Sequence, residues 1–320
     1  MTTTNIAIIG AGQLGSRHLQ GLKKASVPMN IYVLDASTDS LKICEQRYKE
    51  IADNELIGDI IFTTQWNEIP DSIDIAIVAT GSKPRCAIIH ELVEKHQCRK
   101  LILEKFLFPK LSDYDDISRL FQNNNVRAWV NCSRRYFACY QKLRNVLVND
   151  GPLSFILEGK NWGLCCNSIH QIDLFAFLSG AKQISFDCSG IDPVLYESKR
   201  AGYIEMTGTI KGKADNGSSL QISSFAEFDG TGKLSIKSQH HSIEIFEGMN
   251  KMIIDGTEEA MNMSFQSDLT GKYVEDLLSL QSLPLASYEE SASLHQQILP
   301  HFLHIYNQLK GIDSDLCPIT

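Results

Sequence analysis

The sequence predicts an α/β protein with two domains. Residues 1–130 are expected to form a doubly wound parallel sheet, and residues 131–320 an α+β domain with a large, mostly antiparallel open sheet. Two observations support this division: strand and helix patterns alternate over the first part, whereas apolar and polar residues alternate within strands over the second. A length of 320 residues with 43% hydrophobic content is enough for two cores of ordinary size.

The first domain follows the rhythm of βαβ units. The segment 74–79, which is apolar throughout after Asp74, is typical of a strand buried on both faces. The predicted strands are 5–10, 31–35, 59–63, 73–79, 100–103 and 126–130, and the clearest helices between them are 83–96 and 111–122.

The second domain begins with a helix at 136–148 and a turn at 149–152. Strands are expected at 153–159, 203–211, 220–228 and 233–237. A last helix, 291–311, is interrupted by Pro300 and is expected to return toward the first domain.

A glycine motif lies between the first strand and the first helix. It reads Gly10-Ala11-Gly12-Gln13-Leu14-Gly15, and Asp35 ends the next strand about 20 residues further on. Gly10 permits a tight turn, Gly12 lets the backbone approach a pyrophosphate, and Gly15 lets the helix pack on the strand. Because the helix N-terminus also supplies free N–H groups, this context predicts a Rossmann dinucleotide site.

Asp35 favours NAD over NADP. A carboxylate at this position accepts hydrogen bonds from the ribose hydroxyls and repels a 2′-phosphate. The residues that follow, Ala36 and Ser37, supply no arginine to bind such a phosphate.

The carboxyl ends of parallel strands line one crevice of a doubly wound sheet. Polar or small residues lie at or directly after the ends of the predicted strands 5–10, 31–35, 73–79 and 100–103. The predicted cofactor-binding set is Gly10, Ala11, Gly12, Gln13, Leu14, Gly15, Asp35, Ala79, Thr80, Glu104 and Lys105.

Composition excludes several classes of function. A formal net charge of −8 without a basic block argues against a nucleic-acid surface. There is neither a leader-like N-terminus nor an apolar run long enough for a bilayer, so we expect a cytoplasmic protein with no membrane partner. The nine cysteines are expected to be reduced, and their scatter gives no zinc motif, so no metal is predicted.

Several further motifs occur in a characteristic order: Arg17-His18, the Ala79-Thr80-Gly81 turn with Pro84 and His90, Leu103-Glu104-Lys105, and His170-Gln171-Ile172-Asp173-Leu174. Together with the glycine motif they resemble the glucose-fructose oxidoreductase, inositol dehydrogenase and rhizopine catabolism (Gfo/Idh/MocA) family over nearly the whole chain. The resemblance implies NAD(P)-dependent oxidation of sugars or polyols, and a homodimer or homotetramer assembled through the C-terminal sheet.

The chain departs from the family pattern in two places. Phe106 stands where the family has the proline of Glu-Lys-Pro, which leaves the backbone after Lys105 undefined by the sequence. Cys166 and Ser168 replace an aspartate and a glycine that commonly precede the family's histidine, and Asn167 is a neutral polar neighbour.

The expected catalytic residues are Lys105 and His170. Oxidation of an alcohol needs a base for the hydroxyl proton and a group that polarises the developing carbonyl oxygen. His170 titrates in the useful range and is taken as the proton acceptor, while Lys105 orients the hydroxyl, with the reverse assignment left open.

A second set of residues is expected to contact substrate. Asp173 follows His170 by three residues and can bind a hydroxyl, or instead cap or hydrogen-bond within the core. Asn131 and Arg134 follow the last strand of the first domain, and Arg134 with Arg135 either clamps a substrate anion or forms salt bridges between domains. Trp162 either stacks on a sugar or packs in the core.

Three functions fit these residues. The leading one is an NAD-dependent oxidoreductase acting on a hydroxyl of a sugar, polyol or nucleotide sugar. A dinucleotide-binding regulator without turnover would explain Phe106 and Cys166, and an NAD-dependent lyase or glycosidase would use transient oxidation at the same residues.

Overall fold

The computed structural model describes residues 3–320 and divides into two compact units. The first contains the described residues up to Phe108 together with Ser112–Asn131 and Ser264–Tyr288. The second contains Pro109–Leu111, Cys132–Met263 and Glu289–Thr320. Residues 264–288 therefore lie in the first unit, whereas the sequence analysis expected one boundary at residue 130. The last helix lies in the second unit from Glu289 onward.

The strands are β1 (Thr4–Ile9), β2 (Met29–Leu34), β3 (Ile57–Thr63), β4 (Ile75–Val78), β5 (Lys100–Leu103), β6 (Arg127–Val130), β7 (Ser154–Lys160), β8 (Ile184–Ile191), β9 (Tyr196–Glu197), β10 (Ile204–Glu205), β11 (Gly208–Ala214), β12 (Ser219–Phe225), β13 (Lys233–Lys237), β14 (Ser242–Phe246), β15 (Lys251–Ile254), β16 (Thr257–Ala260) and β17 (Ala286–Ser287). The helices are α1 (Gln13–Leu22), α2 (Thr38–Lys49), α3 (Ser82–Glu94), α4 (Leu111–Asn124), α5 (Ala138–Leu147), α6 (Leu164–Ser179), α7 (Gln266–Ser279) and α8 (Tyr288–Lys310).

The first unit is built on a seven-stranded sheet with the order β17-β6-β5-β4-β1-β2-β3. All its pairs are parallel except the short edge pair of β17 with β6. The strand order reverses between β1 and β4, and the crevice at such a switch point is where doubly wound sheets bind ligands. The predicted parallel sheet is confirmed.

Helix α7 packs against α1 within the first unit. A Cβ on Gly271 would lie 2.7 Å from the carbonyl oxygen of Gly21, so the two backbones meet without intervening side chains. This close crossing brings residues far apart in sequence next to the glycine motif.

The second unit is built on an eight-stranded sheet with the order β16-β15-β14-β13-β7-β12-β11-β8. Only β7 and β12 pair in parallel, which confirms the predicted antiparallel character. The segment that carries His170 is the helix α6, which ends at Gly180 in the left-handed conformation that favours glycine.

The expected interruption of the last helix at Pro300 is wrong, because α8 continues through this residue. The ring removes one backbone donor, but Leu299 and Phe302 beside it are fully buried. Their packing stabilises the helix against the loss of that hydrogen bond.

Candidate functional site

The loop after β1 packs tightly against the loop after β4. Gly10 has φ +102°, and a Cβ there would lie 2.8 Å from the backbone nitrogen of Thr80. A Cβ on Gly15 would lie 1.7 Å from the carbonyl oxygen of Gly10. Neither position accepts a side chain, so these two glycines are required by the fold of the first unit itself.

Gly12 differs from the other two glycines because a Cβ at this position would meet no atom within 4 Å. It is the N-cap residue of α1 and no side chain caps the helix there. The start of α1 is therefore open beside Gly12, and the free N–H groups of a helix N-terminus suit the pyrophosphate of a dinucleotide.

Asp35, directly after β2, lies beside the glycine loop. Its Oδ2 accepts a hydrogen bond from the backbone N–H of Ala11 at 2.7 Å, and its Oδ1 accepts one from Ser37 at 2.8 Å. The carboxylate is half-buried and is held in place at the end of the strand.

A buried hydrogen-bond network lies at the carboxyl end of β5 and β6. His18 contacts Oε1 of Glu104 at 3.0 Å through Nε2 and Oγ1 of Thr270 at 2.9 Å through Nδ1. The Asn131 amide donates to the same Glu104 oxygen at 2.5 Å and to Oε1 of Gln266 at 2.8 Å. Burial raises the pKa of Glu104, but the hydrogen bonds from His18 and Asn131 outweigh it and the net pKa is lowered.

The network gives Glu104 and Asn131 structural contacts within the first unit. Asn131 also accepts from the Tyr273 hydroxyl at 3.2 Å and is 4% exposed. Tyr273, Gln266 and Thr270 all come from α7, which the sequence analysis missed. No local pattern indicates that this helix reaches the end of β6.

Lys105 follows the network and is half-buried, and its peptide bond to Phe106 is cis. The backbone around it is fixed by Arg85, which is fully buried. This guanidinium donates to the carbonyl oxygens of Thr80 and Phe106 and, at 2.9 Å, to that of Leu107. Arg85 thereby joins the loop after β4 to the loop after β5, and nothing in the sequence had singled it out.

A cavity of about 610 Å³ lies within the second unit. Three residues predicted from the sequence line it: Arg134, Trp162 and His170. Asn167, Gln171, Glu158, Lys160, Lys233 and Glu247 complete its polar lining and were not predicted.

The position of Trp162 in this cavity is fixed by its neighbours. Its indole N–H donates to the carbonyl oxygen of Ser223 at 2.7 Å, and its own carbonyl oxygen accepts from the Asn167 amide at 2.6 Å. The ring is half-buried, so one part of it packs while another part adjoins the cavity beside His170.

Arg134 is held by a salt bridge inside the second unit. Its Nε and Nη2 donate to the two carboxylate oxygens of Glu247, each at 2.6 Å, and the Tyr140 hydroxyl donates to the same carboxylate at 2.5 Å. Burial raises the pKa of Glu247, but the Arg134 charge and hydrogen bonds outweigh it and the pKa is lowered. The guanidinium is thus already neutralised by a bidentate partner.

Asp173 is not among the residues that line this cavity. Its side chain is fully buried, and its two oxygens lie 2.9 Å from Nε and 2.8 Å from Nη2 of Arg135. Arg135 also lies 3.5 Å from Glu290. The observed contacts match the core interpretation of Asp173.

The N-terminus of α6 is capped by a residue that sequence reasoning missed. The Glu205 carboxylate accepts from the backbone N–H groups of Cys165 at 2.9 Å and Cys166 at 3.0 Å. Glu205, Cys166, Trp162 and Asn167 together line a second cavity of about 590 Å³. An acidic group therefore does lie near the start of this helix, although it comes from β10.

The parallel sheet and the glycine loop of the first unit define the class of Rossmann-type dinucleotide-binding folds. Residues 4–132 match a family described as an oxidoreductase family with an NAD-binding Rossmann fold. These residues, less than half of the chain, are similar to the Gfo/Idh/MocA family, and the description of that family agrees with the predicted NAD cofactor.

Solved structures share the fold over nearly the whole chain. An oxidoreductase from Agrobacterium radiobacter, in complex with NAD+, L-tartaric acid and magnesium, has a TM-score of 0.69 and 15% identity, covering 93% of this chain and 94% of its own. UDP-N-acetylglucosamine 3-dehydrogenase from Acidithiobacillus ferrooxidans has a TM-score of 0.66 and 14% identity, covering 95% of this chain and 97% of its own. Biliverdin reductase from Synechocystis, in complex with biliverdin and NADP+, has a TM-score of 0.70 and 11% identity, covering 94% of this chain and 99% of its own.

Comparison with curated proteins finds no match for this chain. The helices within residues 3–320 include none with the length and apolar character needed to cross a bilayer.

Proposed function

We propose that the protein is an NAD-dependent dehydrogenase that acts on a hydroxyl group of a sugar, polyol or nucleotide sugar. The observation that carries this proposal is the cavity of the second unit, where His170, Trp162 and polar side chains lie together. The first unit supplies the family's NAD-binding fold. Bound NAD would accept the hydride from the carbinol carbon.

The glycine loop and Asp35 would hold the cofactor. The open N-terminus of α1 suits the pyrophosphate, and the carboxylate of Asp35 suits a ribose with free hydroxyls. No basic residue follows Asp35 directly, since Ala36 and Ser37 come next. These features support NAD as the preferred cofactor over NADP.

His170 and Lys105 are the proposed catalytic residues. His170 would accept the hydroxyl proton, and Lys105 would donate a hydrogen bond that stabilises the developing carbonyl. Arg85 fixes the backbone on the C-terminal side of Lys105, and α6, capped by Glu205, presents His170 to the cavity.

The substrate class follows from the cavity lining. Trp162 offers an aromatic surface for the apolar face of a sugar ring, and Asn167, Gln171 and Glu158 offer hydrogen-bond partners for hydroxyls. Arg134 would contribute to substrate binding together with Glu247. Asp173 would act as a positioning residue through its contact with Arg135, and Asn131 would do so through its contact with Glu104. We further propose that the enzyme works in the cytoplasm, in sugar metabolism, as a homodimer or homotetramer formed through the eight-stranded sheet.

The test is a screen of the purified full chain with NAD against sugars, polyols and nucleotide sugars, followed by the near-ultraviolet absorbance of reduced nicotinamide. We expect turnover on at least one member of this class, abolished in Lys105→Ala and His170→Ala. Matched controls are Lys49→Ala and His304→Ala, which change exposed residues on α2 and α8 and should leave turnover unchanged. Tight NAD binding without turnover on any substrate would contradict the proposal and favour a regulator.

A further inference from the structure

Three metal-ligating side chains converge between two helices of the first unit. Cys86 and His90 lie on α3, four residues apart and so on one face, and Asp116 lies on α4. One ligand atom from each lies within 4.8 Å of the others. Within residues 3–320, this is the one such group of three cysteine, histidine or acidic side chains.

The distances are close to those of a tetrahedral metal site. Nε2 of His90 lies 2.8 Å from Oδ2 of Asp116, and Sγ of Cys86 lies 3.7 Å from the same oxygen. Tetrahedral zinc, with bonds of about 2.0–2.3 Å, separates its ligand atoms by roughly 3.3–3.7 Å. The Sγ–Oδ2 distance already falls in this range, and a shift of about half an ångström would bring the Nε2–Oδ2 distance into it.

The orientation of His90 also fits a metal ligand. Its other ring nitrogen, Nδ1, lies 3.2 Å from Oε1 of Glu94, one helical turn further along α3. Histidines that bind metals usually donate this second N–H to a carboxylate, which fixes the ring and raises its basicity. Glu94 thus leaves Nε2 to face Cys86 and Asp116.

The local charge is negative. Asp116 and Glu94 flank His90, and Arg119 lies on the other side of Asp116, with its Nη2 3.8 Å from Oδ1. A surface ion pair alone would contribute little to stability and would not need the cysteine. A thiolate, an imidazole and a carboxylate together select a borderline-soft dication rather than magnesium or calcium.

We propose that Cys86, His90 and Asp116 bind a zinc ion that fastens α3 to α4. Solvent would occupy the fourth position, and Glu94 acts as the positioning residue that holds His90. As the zinc–sulfur bond forms, the Cys86 thiol loses its proton to solvent. Arg85, the neighbour of Cys86 on α3, fixes the two loops on which the candidate cofactor site depends, so the ion would also stabilise the helix that carries Arg85.

The test uses the full chain after removal of metal with a chelator. Zinc is titrated by calorimetry, and cobalt replaces it as a spectroscopic probe. We expect one ion per chain, a thiolate-to-cobalt charge-transfer band and the visible bands of a tetrahedral ion. Zinc should also raise the melting temperature.

Variants then assign the ligands. Cys86→Ser and His90→Gln should each weaken zinc binding by at least about a hundredfold, and Glu94→Gln by about ten- to a hundredfold. Cys139→Ser and His304→Gln are matched controls outside the cluster and should bind as the parent does. Circular dichroism of the metal-free variants checks that they are folded, and Glu94, with a side chain 56% exposed, can be replaced at low risk to the fold.

Zinc binding that is absent, or equally strong in Cys86→Ser and the parent, would overturn the proposal. So would bound cobalt without the thiolate band, because Cys86 would then not be a ligand.

Discussion

His18 and Glu104 form a buried hydrogen bond in which Nε2 lies 3.0 Å from Oε1, with the two side chains 0% and 4% exposed. His18 lies in the helix that follows the glycine motif, and Glu104 immediately precedes Lys105. The contact therefore links the candidate cofactor loop to the strand end that carries the proposed catalytic lysine, within the first unit.

Removing the Glu104 carboxylate should destabilise the first unit. In Glu104→Ala, His18 and Asn131 lose their shared acceptor while remaining buried, which should lower the free energy of unfolding by about 3 kcal/mol. Glu104→Gln is the matched control, since its Oε1 can still accept from both donors and the loss should be smaller. Urea unfolding measures both, and a loss below about 1 kcal/mol in Glu104→Ala would contradict the network's role.

The same residue predicts a pH dependence of stability. The pKa of Glu104 is lowered in the folded state, so its stabilising contribution is present above its unfolded pKa of about 4.3 and is lost as pH falls through the folded value. The difference in unfolding free energy between the parent and Glu104→Gln should therefore shrink as pH falls from 7 toward the acid range. A difference that stays constant or grows on acidification would show that the lowered pKa is not the cause.

Gly12 and Gly15 should respond differently to the same substitution. Gly12→Ala adds a methyl group that meets nothing in the protein, so stability should be retained while the affinity for NADH falls at least about tenfold. Gly15→Ala places its methyl group 1.7 Å from the Gly10 carbonyl oxygen, so it should unfold or strongly destabilise the chain. Fluorescence titration measures the NADH affinity of the two variants, and thermal melts measure their stability. Unchanged NADH affinity in Gly12→Ala would contradict the placement of the pyrophosphate beside Gly12.

Asp35 should determine the choice between NADH and NADPH. Asp35→Asn keeps an acceptor for the Ala11 N–H but removes the charge that repels a 2′-phosphate. The preference for NADH should fall about tenfold, or ~1.4 kcal/mol, with little loss of stability. Equal binding of the two cofactors by the parent protein would refute this assignment.

Arg135 and Asp173 should behave as a coupled pair. Arg135→Met leaves a fully buried carboxylate without its cation and should cost about 3–5 kcal/mol of stability. The double variant Arg135→Met with Asp173→Leu should recover much of this loss, because neither charge is then buried alone. Additive losses in the double-mutant cycle would show that the two side chains do not depend on each other.

The sequence was informative where a signal is local. Strands β5 and β13 were predicted with the bounds that the structure shows, because short apolar or alternating runs between turns determine them. The glycine motif likewise depends on one turn, whose close backbone contacts leave room for no other residue at Gly10 and Gly15.

The sequence was uninformative where a site joins distant segments. Thr270 contacts His18 across 252 positions, and Glu205 caps α6 from 39 and 40 positions away. At the proposed zinc site, the four-residue spacing of Cys86 and His90 is visible in the sequence. Only the packing of α3 against α4 shows that Asp116 is the third side chain of this group. Side-chain pairing of this kind depends on tertiary packing, which periodicity does not encode.

The central claim, that the chain moves a hydride between a substrate carbinol and NAD with His170 as proton acceptor, is tested most directly by isotope transfer. The substrate identified in the screen is prepared with deuterium at the carbinol carbon, and the reduced cofactor is analysed by mass spectrometry. We predict deuterium in the reduced nicotinamide, with formation slowed at least about a hundredfold in His170→Ala while NAD affinity is unchanged. Reduced cofactor without deuterium, or formation at the parent rate in His170→Ala, would contradict the account.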